Sequence, residues 1–179
     1  MTTAIAARLA QLGLTLPPLP SPRGAYVGVV IHGGIAYISG QVSRTGDDII
    51  AGPVDHTTPR ESIRDAARTC VLRALSALAA ALPSTMTVER VLFLRGFVNA
   101  VPEFGNHSQV LDEASLLLHE VFGESGQHAR SAVGVAGLPG GGLLEIELTV
   151  ALVPIARAGE PQHAGSAGNT SNTNEAGPP

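Results

Sequence analysis

The chain has 179 residues, 44% hydrophobic but only 3% aromatic, with 11 basic against 15 acidic side chains and a formal charge of −4. That length suits one domain with an independent core, and the absence of a basic run or interleaved aromatics removes the phosphate neutralisation and base stacking that a nucleic-acid-binding face needs. Cys70 is the single cysteine, which excludes an intramolecular disulfide. With no leader pattern and no unbroken apolar span, the expectation is a reduced, cytoplasmic setting without a membrane segment.

Residues 2–12 set Ile5, Leu9 and Leu12 on one helical stripe that Gly13 can end. Pro17, Pro18, Pro20 and Pro22 then predict an extended connector. Residues 26–31 and 35–39 read as two strands joined at His32-Gly33-Gly34, a hairpin signal. Residues 43–57 hold Gly, Asp and Pro with no sustained period and are expected to form a loop.

The next helix has a marked start. Thr58 can cap it, Pro59 suits its first turn, and Glu61 completes a Thr-x-x-Glu capping box. Ile63, Ala67, Cys70, Val71, Ala74, Leu75 and Leu78 follow at three- and four-residue steps, an amphipathic helix ending before Pro83. Cys70 falls in the apolar stripe and reads as a buried, inert thiol. Arg64, Arg68 and Arg73 are expected to face solvent. Residues 88–98 predict a long strand. Val110, Leu111, Ala114, Leu117, Leu118 and Val121 predict a second helix stopped at Gly123.

Residues 128–153 carry the most information. A short alternating run begins at Arg130, reaches Leu138-Pro139 and turns at Gly140-Gly141-Gly142. It returns with Leu144, Ile146, Leu148, Val150 and Leu152 on one face and Glu145 and Glu147 on the other, the period of a half-buried strand. Read as a hairpin, this puts Arg130 at one strand end and an acid on the neighbouring strand. A guanidinium can grip a planar carboxylate through two parallel hydrogen bonds; the plainer alternative is an edge arginine paired with a surface glutamate. Past Arg157 the composition falls to Gly, Ala, Ser, Asn, Thr and Pro, so residues 158–179 are expected to form a disordered tail after a domain spanning 1–157.

Other chemistries find little in the chain. The six histidines, His32, His56, His107, His119, His128 and His163, contain no pair at metal-ligand spacing, and no cysteine cluster joins them, so no metal is expected. His128 beside Arg130 could line a cleft or simply face water. The glycine run precedes a strand rather than a helix and is a turn, not a phosphate cradle.

Three ordered stretches, Gly24-Ala25-Tyr26-Val27, Tyr37-Ile38-Ser39-Gly40-Gln41 and the run from Arg130 through Leu138-Pro139 to Glu145-Ile146-Glu147, resemble the RidA/YjgF family, also called endoribonuclease L-PSP. The chain is most similar in layout to a longer subgroup with an extra N-terminal helix and no defined activity. The resemblance implies an α+β, chorismate-mutase-like fold: a mixed sheet covered on one face by two helices, closed into a barrel on trimerisation. It also implies a homotrimer with small-carboxylate sites in the clefts between subunits. Matched to the family's imine-hydrolysing members, Arg130 binds the substrate carboxylate and Glu145 helps place a water. Tyr26, Ser39 and Asp112 surround them, Asp112 standing where the family has an asparagine. No metal or organic cofactor is needed for hydrolytic deamination of an enamine or imine carboxylate such as 2-aminoacrylate. Two departures bear on this: Ala132 replaces a cysteine found in active deaminases, and Gly134 replaces a residue often acidic or polar. A mutase-type or lyase reaction on a small carboxylate, or a non-enzymatic trimeric binding or regulatory protein, are the alternatives.

Overall fold

A computed structural model describes residues 4–155; the tail at 158–179 and the first two residues of the predicted helix 2–12 lie outside the described residues. Helix α1 (Ala4–Gln11) buries Ile5 and Leu9. Arg8 anchors it by donating from Nε and Nη2 to the Glu120 carbonyl at 3.2 and 3.0 Å.

Strands β1 (Val29–His32) and β2 (Ile35–Val42) form the predicted hairpin. Gly33 and Gly34 make its turn with φ of 57° and 76°, the left-handed region that favours glycine. The first strand starts later than its apolar pattern predicts, because residues 26–28 are held by a different set of bonds. The Ser39 N–H donates to the Gly28 carbonyl at 2.9 Å, and Ser39 Oγ donates to the Val27 carbonyl at 2.8 Å.

The predicted loop at 43–57 contains a miniature hairpin, β3 (Arg44–Thr45) and β4 (Asp48–Ile49), turned at Gly46. Strands of two residues are too short to leave a period in sequence. Helix α2 (Arg60–Ala81) begins without the predicted capping box: no side chain caps its first turn. Asp55 takes that organising role. Its Oδ1 accepts from the Thr57 N–H, Thr57 Oγ1 and Thr58 Oγ1 at 2.8, 2.8 and 3.1 Å, which draws Thr58 away from the helix. Glu61 turns instead to Arg64, 3.4 Å away.

Strand β5 (Met86–Asn99), helix α3 (His107–Phe122), strand β6 (Ala129–Val135) and strand β7 (Leu144–Pro154) complete the chain. The main sheet runs β1-β2-β7-β5-β6. One expectation is corrected here. Strands β6 and β7 are not a hairpin: β6 pairs parallel to β5 through the α3 crossover, and β7 inserts antiparallel between β2 and β5. Alternation fixes which face a residue takes but not which strand lies beside it.

The β7 alternation itself is as predicted, with residues 144, 146, 148, 150 and 152 all buried. That face lies under α2 and α3, and Gly96 allows the close approach of α3; a Cβ there would come within 2.6 Å of Leu111 Cγ. Cys70 is fully buried on this face, its thiol donating to the Leu144 carbonyl, and burial pushes its pKa far up. Among the described residues, the opposite face carries no helix. It displays Val30, Tyr37 and Val133, all exposed, beside an Arg95–Glu147 ion pair of 2.7 Å in which Arg95 also lies over the Phe93 ring. The result is an α+β domain with a mixed sheet covered on one face by two long helices.

Candidate functional site

Glu145 is the second residue of β7, aligned with Phe97 and Val42 and directed away from the helices. Beyond Ile38, strand β1 no longer pairs with β2, and a register shift lies between Ile38 and Gln41. Residues 40–42 therefore form a free edge, and a cleft of about 270 Å³ wraps around it. Tyr26, Gly40, Gln41, Arg44, Arg73 and Glu145 are among its walls. Gly40 explains the glycine of the Ser-Gly-Gln stretch: a Cβ there would collide with Glu145 Oε1 and sit 2.9 Å from its Cδ. The carboxylate thus rests on bare backbone. Burial first, and the Glu147 charge second, raise the Glu145 pKa above the usual carboxylate range. A half-buried carboxyl with a raised pKa is a stronger proton acceptor than an exposed one and can serve as a general base. Tyr26 shares the cleft with its ring half exposed. Ser39 does not; its hydroxyl is spent on the Val27 carbonyl.

Arg130 lies elsewhere. It is the second residue of the edge strand β6, in line with Leu94 and Leu148, and its side chain turns to α3. Nη1 donates to Asp112 Oδ1 at 2.9 Å and to Ser115 Oγ at 3.0 Å, while Nη2 donates to Ser108 Oγ at 2.7 Å and the Ser108 carbonyl at 3.2 Å. These bonds engage both terminal nitrogens. The chain extends one step further through Ser115, 3.1 Å from His128 Nε2, with His128 Nδ1 2.6 Å from the Gly126 carbonyl. A carbonyl can only accept, so the imidazole proton is assigned to Nδ1 and Nε2 accepts from Ser115. Burial leads the causes that lower the His128 pKa, with His119 and Arg130 adding to it, which favours this neutral form. Gly134, on the same strand, leaves room for the His107 ring, which a Cβ there would strike.

The predicted residues therefore fall into two groups. Tyr26 and Glu145 come together, with Ser39 bracing one wall; Arg130 and Asp112 come together as an ion pair. The groups lie on opposite sides of one sheet, separated by β5. Sequence reasoning missed Ser108 and Ser115, although with Asp112 they recur at four- and three-residue steps, a polar stripe on one helix face. It also missed Arg73, expected in solvent but half buried in the Glu145 cleft.

The model of the endoribonuclease L-PSP family matches residues 18–152. The chain is 39% identical over 150 residues to the protein TCP17 of Trypanosoma cruzi, covering 83% of this chain and 94% of that one. Among solved structures, it resembles the protein Atu1372 of unknown function from Agrobacterium tumefaciens, with a TM-score of 0.74 and 38% identity over 84% of this chain and 93% of that one. A Shewanella oneidensis protein described as a candidate endoribonuclease aligns with a TM-score of 0.75 and 26% identity, over 83% of this chain and 99% of that one. The chain belongs to the endoribonuclease L-PSP family, the RidA/YjgF family.

Proposed function

We propose that the protein is a cofactor-free hydrolytic deaminase of small enamine or imine carboxylates, acting as a homotrimer in a cytoplasmic setting. In this reading Arg130 of one copy holds the substrate carboxylate, and Glu145 of the next copy places the water, with Tyr26 beside it. The observation that carries the reading is the Glu145 carboxyl, half buried on the bare backbone of Gly40 with its pKa raised. The opposed placement of Arg130 and Glu145 on the sheet supports a shared cleft, because a small molecule reaches both only if they come from different chains. The uncovered sheet face and the free edge of β6 offer the surface for such packing.

The chemistry needs little machinery. Water adds to the carbon of a protonated 2-imino acid while Glu145 takes one of its protons. The carbinolamine nitrogen then receives that proton, the C–N bond breaks as the hydroxyl proton passes to Glu145, and ammonia and a 2-keto acid leave. For Arg130 to take part, the substrate carboxylate must displace Asp112, whose side chain is 56% exposed and free to swing aside.

That same ion pair favours a second reading, a trimeric small-carboxylate-binding or regulatory protein without turnover. Ammonia release from freshly generated 2-aminoacrylate separates the two. The first reading predicts turnover by the wild type and its loss in Glu145→Gln by about a hundred-fold or more. Saturable pyruvate binding without ammonia release would leave only the binder. A monodisperse monomer mass in light scattering would remove the shared cleft from both.

A further inference from the structure

We propose that Arg73 and Arg44, together with Gln41, form an anion subsite within a single chain. It would take the carboxylate or phosphate group of a small metabolite that also carries an N–H or O–H donor. The subsite adjoins Glu145 but uses neither Arg130 nor a second copy, so it stands or falls apart from the shared-cleft reading.

Arg73 leaves α2 on the side that faces β3 and donates from Nη1 to the Arg44 carbonyl at 3.2 Å. Its Nε is buried without a hydrogen-bond partner. The same holds for Gln41 Oε1, on a residue only 5% exposed. The Gln41 amide is not reversible, because its Nε2 donates to the Ser39 carbonyl at 3.1 Å; Oε1 is therefore an acceptor. Buried donors and acceptors in native proteins find partners, and these two line the same cleft.

Charge points the same way. Arg68, Arg95 and Arg130 each hold a carboxylate. Among the described residues, neither Arg73 nor Arg44 makes such a pair, although both line this cleft and a neighbouring one of about 340 Å³. Arg23 borders both clefts but is paired with Asp47 at 3.5 Å. Burial first, and the Arg44 and Arg23 charges after it, press the Arg73 pKa down; a bound anion would relieve the repulsion and restore the charge balance. A planar guanidinium suits carboxylate and phosphate alike. The wall opposite is preformed. Pro20 and Pro22 stiffen the connector, and Ser76 Oγ pins it to α2 through the Pro17 carbonyl at 2.8 Å.

The test is titration of the full chain with inorganic phosphate and, separately, with lactate, a carboxylate that carries a hydroxyl donor, at constant ionic strength. The readouts are calorimetry and the Arg73 Nε–H resonance, assigned by its loss in Arg73→Lys. At least one anion should shift that resonance saturably, and Arg44→Gln should weaken its binding by about ten-fold. Whichever anion saturates names the group that the subsite takes. Arg44 lies on a two-residue strand, so its variant tests the idea even if Arg73→Lys fails to fold. No saturable shift with either anion, or a shift matched by chloride, would overturn the subsite. A null result beside an Arg130-dependent pyruvate affinity would remove the subsite and leave the shared cleft intact.

Discussion

The Arg130 cluster, on the edge strand β6, and the Glu145 cleft, beside the central strand β7, are two polar regions of one sheet, and they are finished to different degrees. Around Arg130 each terminal nitrogen of the guanidinium has protein acceptors, and a line of bonds runs on through Ser115 and His128 to the Gly126 carbonyl. Around Glu145 the carboxyl is half buried against backbone, two buried polar atoms lack partners, and two arginines lack carboxylates. The contrast is between a guanidinium whose donors are satisfied within the chain and a cleft that keeps unpartnered polar groups. The arginine with the clearest family signature is met by acceptors of its own chain, whereas the cleft with free valence lies around a glycine.

Gly40 offers the sharpest way to break that contrast. Gly40→Ala puts a methyl group where the Glu145 carboxylate lies. If that carboxylate places the water, turnover of 2-aminoacrylate should fall by about a hundred-fold with the melting temperature little changed. Normal turnover in this variant would disconnect Glu145 from the chemistry. The next largest effect belongs to the other end. Arg130→Ala strands Asp112 and the two serines and should lower stability by roughly 2 kcal/mol, a fall of about 4–8 °C in melting temperature for a chain of this size. It should also weaken pyruvate binding. A variant that melts like the wild type would show that the cluster contributes no stability.

The smallest effect concerns pH. Because burial and Glu147 raise the Glu145 pKa, folding favours the protonated carboxyl. That contribution is present in full below the unfolded-state value of about 4.3 and is lost as pH rises through the higher folded-state value. Glu145→Gln should therefore melt slightly above the wild type at pH 7, and the two curves should converge below about pH 4. A gap that persists in acid would point to packing rather than ionisation.

How far the sequence anticipates this contrast depends on range. The β7 alternation from Leu144 to Leu152 and the apolar stripes of α2 and α3 were readable because each pattern is local and repeats. The three ordered motifs carried the fold family. The neighbour of β6 was not readable, since a parallel crossover leaves the same alternation as a hairpin. The Thr58–Glu61 capping box failed because the Asp55 N–H, outside the motif, donates to Thr58 Oγ1 at 3.0 Å and takes the acceptor a cap would use. The grouping of the residues named for the site was not readable: nothing local says that Ser108, Asp112 and Ser115 converge on Arg130. Nor does the polar spacing of α2 reveal that Arg73 meets Arg44 from a hairpin 29 residues earlier.

In the shared-cleft proposal, Arg130 holds an internal carboxylate, that of Asp112, in the place a substrate carboxylate would take. Asp112→Asn tests it most directly, since it removes the competing charge and keeps the side-chain shape. Calorimetric titration with pyruvate should show this variant binding about ten-fold more tightly than the wild type, the gain expected when one charge-assisted hydrogen bond no longer has to be exchanged. Equal or weaker affinity in a variant that folds normally would contradict the account and leave Arg130 as a structural clamp.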